Sequence, residues 1–274
     1  MYSSISVVHV TYLFAILFIG IAVIIDGTRY YHQFASDTIK ANEWDYICDD
    51  NEVNNMNVEE AITSRYSARL FKKDLPIAEA DLEKIVKLAQ SAPSWVDSQP
   101  WKVYIATGNT LNKVKRQHVM NVKNGVESNP DWETMHRDQW AAFPRENMRV
   151  HNEDTAKFWE DPRLADITRL ELETNLFDAA AIYLTIPKGS NMWSAYDLGG
   201  FGQTLMLAAK GMGIDSIPAY EIVRFPNSVR EIMEIPEQEW VAMGIALGYA
   251  DTTTKANDYR AHRVPENEIL TIKD

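Results

Sequence analysis

Cysteine is nearly absent. The chain of 274 residues carries one, Cys48, so it can form no internal disulfide and build no cysteine-rich metal site. A reducing compartment is the natural setting, and the larger part of the chain is expected in the cytoplasm. Basic residues are scarce as well: 27 against 39 acidic, a net charge of −12. That balance excludes the broad positive surface a nucleic-acid binder needs, and it confines any bound phosphate to a few local arginines. Metal-ligand spacing is missing too. His118, His136 and His151 lie in a polar middle region without HxxxH or HxH spacing, so they read as surface histidines and no metal site is expected. Repeats, low-complexity tracts and linkers are absent from residues 57–274.

Long hydrophobic runs are also missing, with one exception. VVHVTYLFAILFIGIAVII, from Val7 to Ile25, holds only His9 and Thr11 as clearly polar members. It approaches the ~20 residues that cross a bilayer. No Lys or Arg precedes it, while Arg29 and Lys40 come after it, so a spanning helix would tether the C-terminal part on the cytoplasmic side. A buried core helix is the second reading. Residues 26–56 form a polar connector containing DDNEVNN, which reads as disorder. In a third reading translation starts at Met56 and the preceding residues are an over-extended gene start.

Residues 57–274 have the pattern of a globular domain. Asn57 can cap a helix with Glu59 and Glu60 in its first turn. Leu82, Ile85, Val86 and Ala89 repeat at helical spacing, and Ser91-Ala92-Pro93 closes that helix. Strands are expected at Trp101–Thr107, Ala179–Ile186 and Val241–Tyr249, with weak alternation at Glu268–Lys273. Residues 109–175 are polar and helix-prone. Trp132, Trp140 and Trp159 within them fit either a substrate roof or helix packing. A long helix is expected from Ala195 to Met212. Leu198, Phe201, Leu205, Met206, Ala208 and Ala209 leave it few polar sides, and Gly199, Gly200 and Gly202 would admit a second helix at close range. Strands and helices are interspersed without a βαβ rhythm, so the class is α+β.

Three stretches carry chemistry. Arg65-Tyr66-Ser67-Ala68-Arg69 sets two guanidinium forks and a hydroxyl where they could clamp a phosphate; the same pattern suits a solvated turn. Ala92-Pro93-Ser94-Trp95-Val96-Asp97-Ser98-Gln99-Pro100-Trp101 is a proline-bracketed loop able to hold donors against a flat ligand, or a plain helix-to-strand connection. Gly211-Met212-Gly213-Ile214-Asp215-Ser216-Ile217-Pro218-Ala219-Tyr220-Glu221 is a glycine-ended helix leading into extended chain, where amides could face a ligand or merely cap the helix.

In this order and spacing the three stretches, with Ala261-His262-Arg263-Val264-Pro265 near the end, resemble the nitroreductase family. EEAITSRYSARLF resembles its N-terminal helix and phosphate-binding Arg-x-Ser element, APSWVDSQPW its proline loop, and LGGFGQTLMLAAKGMGIDSIPAYE its central dimer helix and flavin-facing loop. Asp97 and Ala261 depart from the usual pattern. The resemblance implies a central, mainly antiparallel sheet flanked by helices, in an intertwined homodimer. It implies FMN as cofactor and NADH or NADPH as donor. Arg65, Ser67 and Arg263 would hold the FMN phosphate and ribityl chain. Arg69 would approach the pyrimidine edge. Ser94 and Trp95 would border the flavin from the neighbouring subunit, and Pro218, Ala219, Tyr220 and Glu221 would line its N5 side through backbone amides. It further implies ping-pong hydride transfer through the flavin to a nitroaromatic, a quinone or a related acceptor, with no catalytic side chain required. The dimer helix would lie on the two-fold axis, and Glu268–Lys273 would add a strand to the partner's sheet. Two other functions stay open: a membrane-anchored reductive dehalogenase resembling iodotyrosine deiodinase, and a flavin-binding module without turnover.

Overall fold

The computed structural model describes residues 56–274, all within one compact unit. The hydrophobic run 7–25 and nearly all of the connector lie outside the described residues. Among those described, no helix is long and apolar enough to cross a membrane.

The first helix, α1 (Val58–Ser64), starts as its cap residue dictates. The Asn57 side chain accepts from the Glu60 amide at 2.9 Å, and the Glu60 carboxylate accepts from the Asn57 amide at 3.0 Å. Helix α2 (Glu79–Ala89) buries Leu82, Ile85 and Ala89 on one stripe, matching the spacing in the sequence. Strand β1 (Lys102–Ala106) comes after the proline loop. The polar middle region folds as α3 (Gly108–Lys123), α4 (Ala142–Trp159) and α5 (Pro162–Asn175), the last opened by an Asp161 cap and a proline in its first turn. Then come β2 (Ala180–Pro187), α6 (Met192–Gly211), β3 (Asp215–Pro218), the single turn α7 (Tyr220–Val223), α8 (Pro226–Met233) and β4 (Glu239–Gly248).

The sheet runs β1-β2-β4-β3, with every neighbouring pair antiparallel. Both faces are covered. Ala181 and Tyr183 of β2 point to one side, into a cluster with Ala68, Phe71, Val241 and Ala246. Ile182, Leu184 and Ile186 point to the other, against Leu82, Ile85, Leu198, Phe201 and Leu205 of α2 and α6. This two-sided burial is why β2 reads as an apolar run, interrupted only by Thr185, rather than an alternation. Each such aliphatic side chain contributes about 1.5–3 kcal/mol of burial. At Gly244 a Cβ would collide with the Ile222 side chain, so only glycine lets the α7 turn lie directly on β4.

Some expectations need correction. Leu198, Phe201, Leu205, Met206 and Ala209 of α6 are buried within the chain, against the sheet, and Gly202 faces Leu184 and Ile245 rather than a second helix. The side left open is Met192, Tyr196, Gly199, Gly200 and Gln203. Glu268–Lys273 forms no strand within the chain. A short 3-10 turn at Glu266–Glu268 leads into a tail with Ile269, Leu270 and Ile272 exposed.

Candidate functional site

Arg65, Tyr66, Ser67, Ala68 and Arg69 leave α1 as extended chain and pair with the sheet edge. Ser67 bridges Ser216 of β3, and the Ala68 amide donates to the Ser216 carbonyl at 3.1 Å. Ala68 is fully buried, so its neighbours on either side, Ser67 and Arg69, turn outward. Both arginines are half-buried. Burial, and after it the charge of Arg263, holds the Arg65 guanidinium below its ordinary pKa. Arg69 is likewise lowered, first by burial; nearby Tyr259 opposes this and Arg260 adds to it. Among the described residues none of Arg65, Arg69, Arg260 or Arg263 forms an ion pair with a carboxylate.

A buried asparagine places this segment. Asn257 Oδ1 accepts from the Arg69 amide at 2.7 Å and the Leu70 amide at 3.3 Å, and Nδ2 donates to the Leu70 carbonyl at 2.7 Å and the Asp251 carbonyl at 2.9 Å. The C-terminal loop is thereby fastened beside the arginines. Arg260 continues it: the guanidinium donates to the Asn257 carbonyl at 2.7 Å and lies 3.6 Å from the centre of the Tyr66 ring. Exposed Arg263 donates to the His262 carbonyl at 2.9 Å. Sequence reasoning missed Asn257, a lone polar residue in a polar loop.

The proline loop meets a different part of the chain. Val96, Asp97 and Gln99 all have positive φ, at 50°, 55° and 41°. Such backbone costs about 1–3 kcal/mol per residue and needs support from its surroundings. The Ser94 hydroxyl accepts from the Gln99 amide at 3.0 Å, and the Asp97 carboxylate accepts from Gln99 Nε2 at 2.9 Å. The Trp95 amide donates at 3.1 Å to Asp197, a buried carboxylate on α6. Trp95 remains more than half exposed, with its ring 4.8 Å from that of Trp193. Ser94 and Trp95 thus sit at the start of α6, while the arginines lie at the β3 edge.

Pro218, Ala219, Tyr220 and Glu221 pass from β3 into α7. The Ala219 amide is taken by the Gly244 carbonyl at 2.8 Å. The amides of Tyr220 and Glu221 open the turn, where a helix offers its donors no internal partner. The Tyr220 hydroxyl bonds that of Ser128. The Glu221 carboxylate turns inward, 3.1 Å from His118 Nε2 and 3.0 Å from Arg224. Burial alone would push this carboxyl upward, but the bonds from His118 and Arg224 outweigh it and hold it below the usual carboxylate range. His118 is buried, contrary to its reading as a surface histidine, because the polar α3 turns this side toward Glu221. Among the described residues no cluster of His, Cys, Asp or Glu suits a metal ion.

The model of the nitroreductase family matches residues 62–249, which span the arginine segment, the proline loop and the α6–α7 passage. The chain belongs to the nitroreductase family. It is 25% identical over 213 residues to 4-nitrobenzoate reductase of Pseudomonas putida, covering 74% of this chain and 89% of that one. It is 27% identical over 225 residues to chloronitrobenzene nitroreductase of Comamonas testosteroni, covering 78% and 96%. Among solved structures, the FMN-dependent nitroreductase NfnB of Mycobacterium smegmatis, in complex with NADPH, superposes with a TM-score of 0.72 at 24% identity, over 79% of this chain and 97% of that one.

In this nitroreductase the residues at the β3 edge fit a phosphate-bearing cofactor. Arg65 Nη1 is buried and has no hydrogen-bond partner among the described residues, and neither has the hydroxyl of Ser216, the residue bridged to Ser67. A buried guanidinium donor left unpaired is costly, and its neighbour Arg263 repels it; an anion between them relieves both.

Proposed function

We propose that this nitroreductase is an FMN-dependent NAD(P)H oxidoreductase that reduces nitroaromatic, quinone or related acceptors as a homodimer. The observation that carries the cofactor is the buried Arg65 Nη1 beside Arg263: among the described residues this nitrogen has no hydrogen-bond partner, and neither arginine has a carboxylate to neutralise it there. Arg65, Ser67 and Arg263 hold the FMN phosphate and ribityl chain. Arg69 faces the pyrimidine edge, where the reduced flavin gathers negative charge. The Tyr220 and Glu221 amides line the N5 side. Bound FMN supplies the redox chemistry, accepting electrons from NADH or NADPH and passing them to the acceptor. The protein's own work is to bind, orient and bias charge, so no side chain need act as acid, base or nucleophile.

Two features support the dimer. The open side of α6 is mostly apolar or small, with Met192, Tyr196, Gly199 and Gly200 beside the polar Gln203, and it runs along the helix that also anchors the Trp95 loop. A second copy laid along it brings that subunit's Ser94 and Trp95 to the flavin. In addition, among the described residues β1 pairs only with β2, and an open groove of about 620 Å³ lies between α2 and this edge. The partner's tail, with Ile269, Leu270 and Ile272, is a suitable occupant.

The test is an acceptor screen on the purified holoenzyme under NADH and NADPH. Turnover of nitroaromatics or quinones supports the reading. Turnover of diiodotyrosine alone would mark a dehalogenase, and no turnover of any acceptor would leave a flavin-binding module.

A further inference from the structure

We propose that Tyr259 is the positioning residue for Arg69, and that α4 exists in part to hold Tyr259 in place. The inference rests on the reading of Arg69 as the cation at the flavin's pyrimidine edge.

A cation serves that edge only if its charge stays uncompensated and its position is fixed. A carboxylate would fix it but cancel it. Arg69 has no carboxylate partner among the described residues. Its guanidinium is 5.3 Å from the centre of the Tyr259 ring, and Nη1 makes a long bond of 3.4 Å to the Ser67 carbonyl. An aromatic face attracts a cation through its quadrupole while carrying no net charge. It can therefore locate Arg69 and leave its positive charge available to the flavin.

Tyr259 in turn is held firmly. It is buried, and its hydroxyl is 3.1 Å from His151 Nδ1. His151 and Phe158 both meet its ring edge-on, with centroids 5.7 Å and 5.2 Å away. Both belong to α4 and lie about two helical turns apart, on one face. Asn257, two residues before Tyr259, binds the Arg69 amide, so the same loop controls the backbone and the side chain of Arg69. This gives a use to the polar α4 segment, which the flavin site itself does not explain.

The experiment measures three properties of the holoenzyme: FMN retained, the midpoint potential of bound FMN, and the single-turnover rate of its reduction by NADPH. Tyr259→Leu should keep FMN bound, because Arg65 and Arg263 are untouched. It should move the potential to a more negative value and slow reduction about tenfold, the scale of one lost charge-assisted contact. Arg69→Ala should do the same, and the double variant should be no worse than Arg69→Ala alone. If Arg69→Ala shifts the potential and Tyr259→Leu does not, the role of Tyr259 is overturned while that of Arg69 stands. If neither does, the reading of Arg69 falls as well. Should Tyr259→Leu not fold, Tyr259→Phe and His151→Ala decide, since each removes the bond between Tyr259 and α4. A negative shift with reduction slowed about threefold supports the proposal, that being the scale of a single neutral hydrogen bond. Wild-type values in both would overturn it.

Discussion

Asn257 grips Leu70 from both sides, its Nδ2 donating to the Leu70 carbonyl at 2.7 Å while its Oδ1 accepts from the Leu70 amide at 3.3 Å. The contact joins residues at opposite ends of the domain and sets the distance between Arg69 and the C-terminal loop. Asn257→Ala should leave buried backbone groups unpaired, at about 1–3 kcal/mol for each. The expected outcome is a lower Tm together with weaker FMN retention. A variant with wild-type Tm and flavin content would show that the latch is idle.

Arg65 and Arg263 oppose one another until an anion lies between them. Arg65→Ala and Arg263→Ala should each weaken FMN binding by about 1.5–3 kcal/mol, roughly ten- to a hundredfold. Stability of the apoprotein should hold or rise, since one repelling charge is gone. Flavin titration and thermal unfolding of the apo form check the two halves separately. Unchanged FMN affinity in both variants would remove these residues from the phosphate site.

Glu221 makes stability depend on pH. Its carboxyl is held below the usual range in the folded chain, so its contribution is present above the ordinary carboxylate pKa and is lost as pH falls through the lower folded value. His118→Phe removes one of the two bonds that depress it and leaves only Arg224 to oppose its burial. The acid unfolding midpoint should then move to higher pH, with little change in Tm of FMN-free protein at neutral pH beyond the lost pair. An acid titration of Tm reads this directly; a midpoint that does not move would mean the pair is not formed in solution.

Gly200 reports on the dimer without disturbing the subunit. A Cβ there meets nothing within 4 Å in the single chain, so Gly200→Glu should fold. In a dimer packed along the open side of α6 it buries a charge between two helices. Sedimentation should show a monomer that has lost its flavin. A stable Gly200→Glu dimer that keeps FMN would place the interface elsewhere.

Much of the fold is legible in the sequence because local signals and tertiary packing agree. The stripe of Leu82, Ile85 and Ala89 is the face α2 buries. The run Ala179–Ile186 is apolar except for Thr185 because both sheet faces are covered. The three motifs locate the arginine segment, the loop and the turn, yet they do not show what joins them. Asn257, Asp197 and His118 are single polar residues whose importance comes from a partner distant in sequence. Asp197 interrupts an apolar helix and proves to be the acceptor for Trp95. Helix α6 starts at Met192 rather than at the expected Ala195, because its cap, Asn191, stands before a weakly patterned Met192-Trp193-Ser194. Glu268–Lys273 alternates only weakly, and in the chain it forms no strand.

The most direct measurement is the visible absorbance spectrum of the purified protein during anaerobic addition of NADPH or NADH, and then of a nitroaromatic. A flavin spectrum that bleaches with the nicotinamide and returns with the nitroaromatic is the predicted result, and FMN should be released on denaturation. A colourless protein that binds no added FMN, or a yellow one that neither nicotinamide bleaches, would contradict the account.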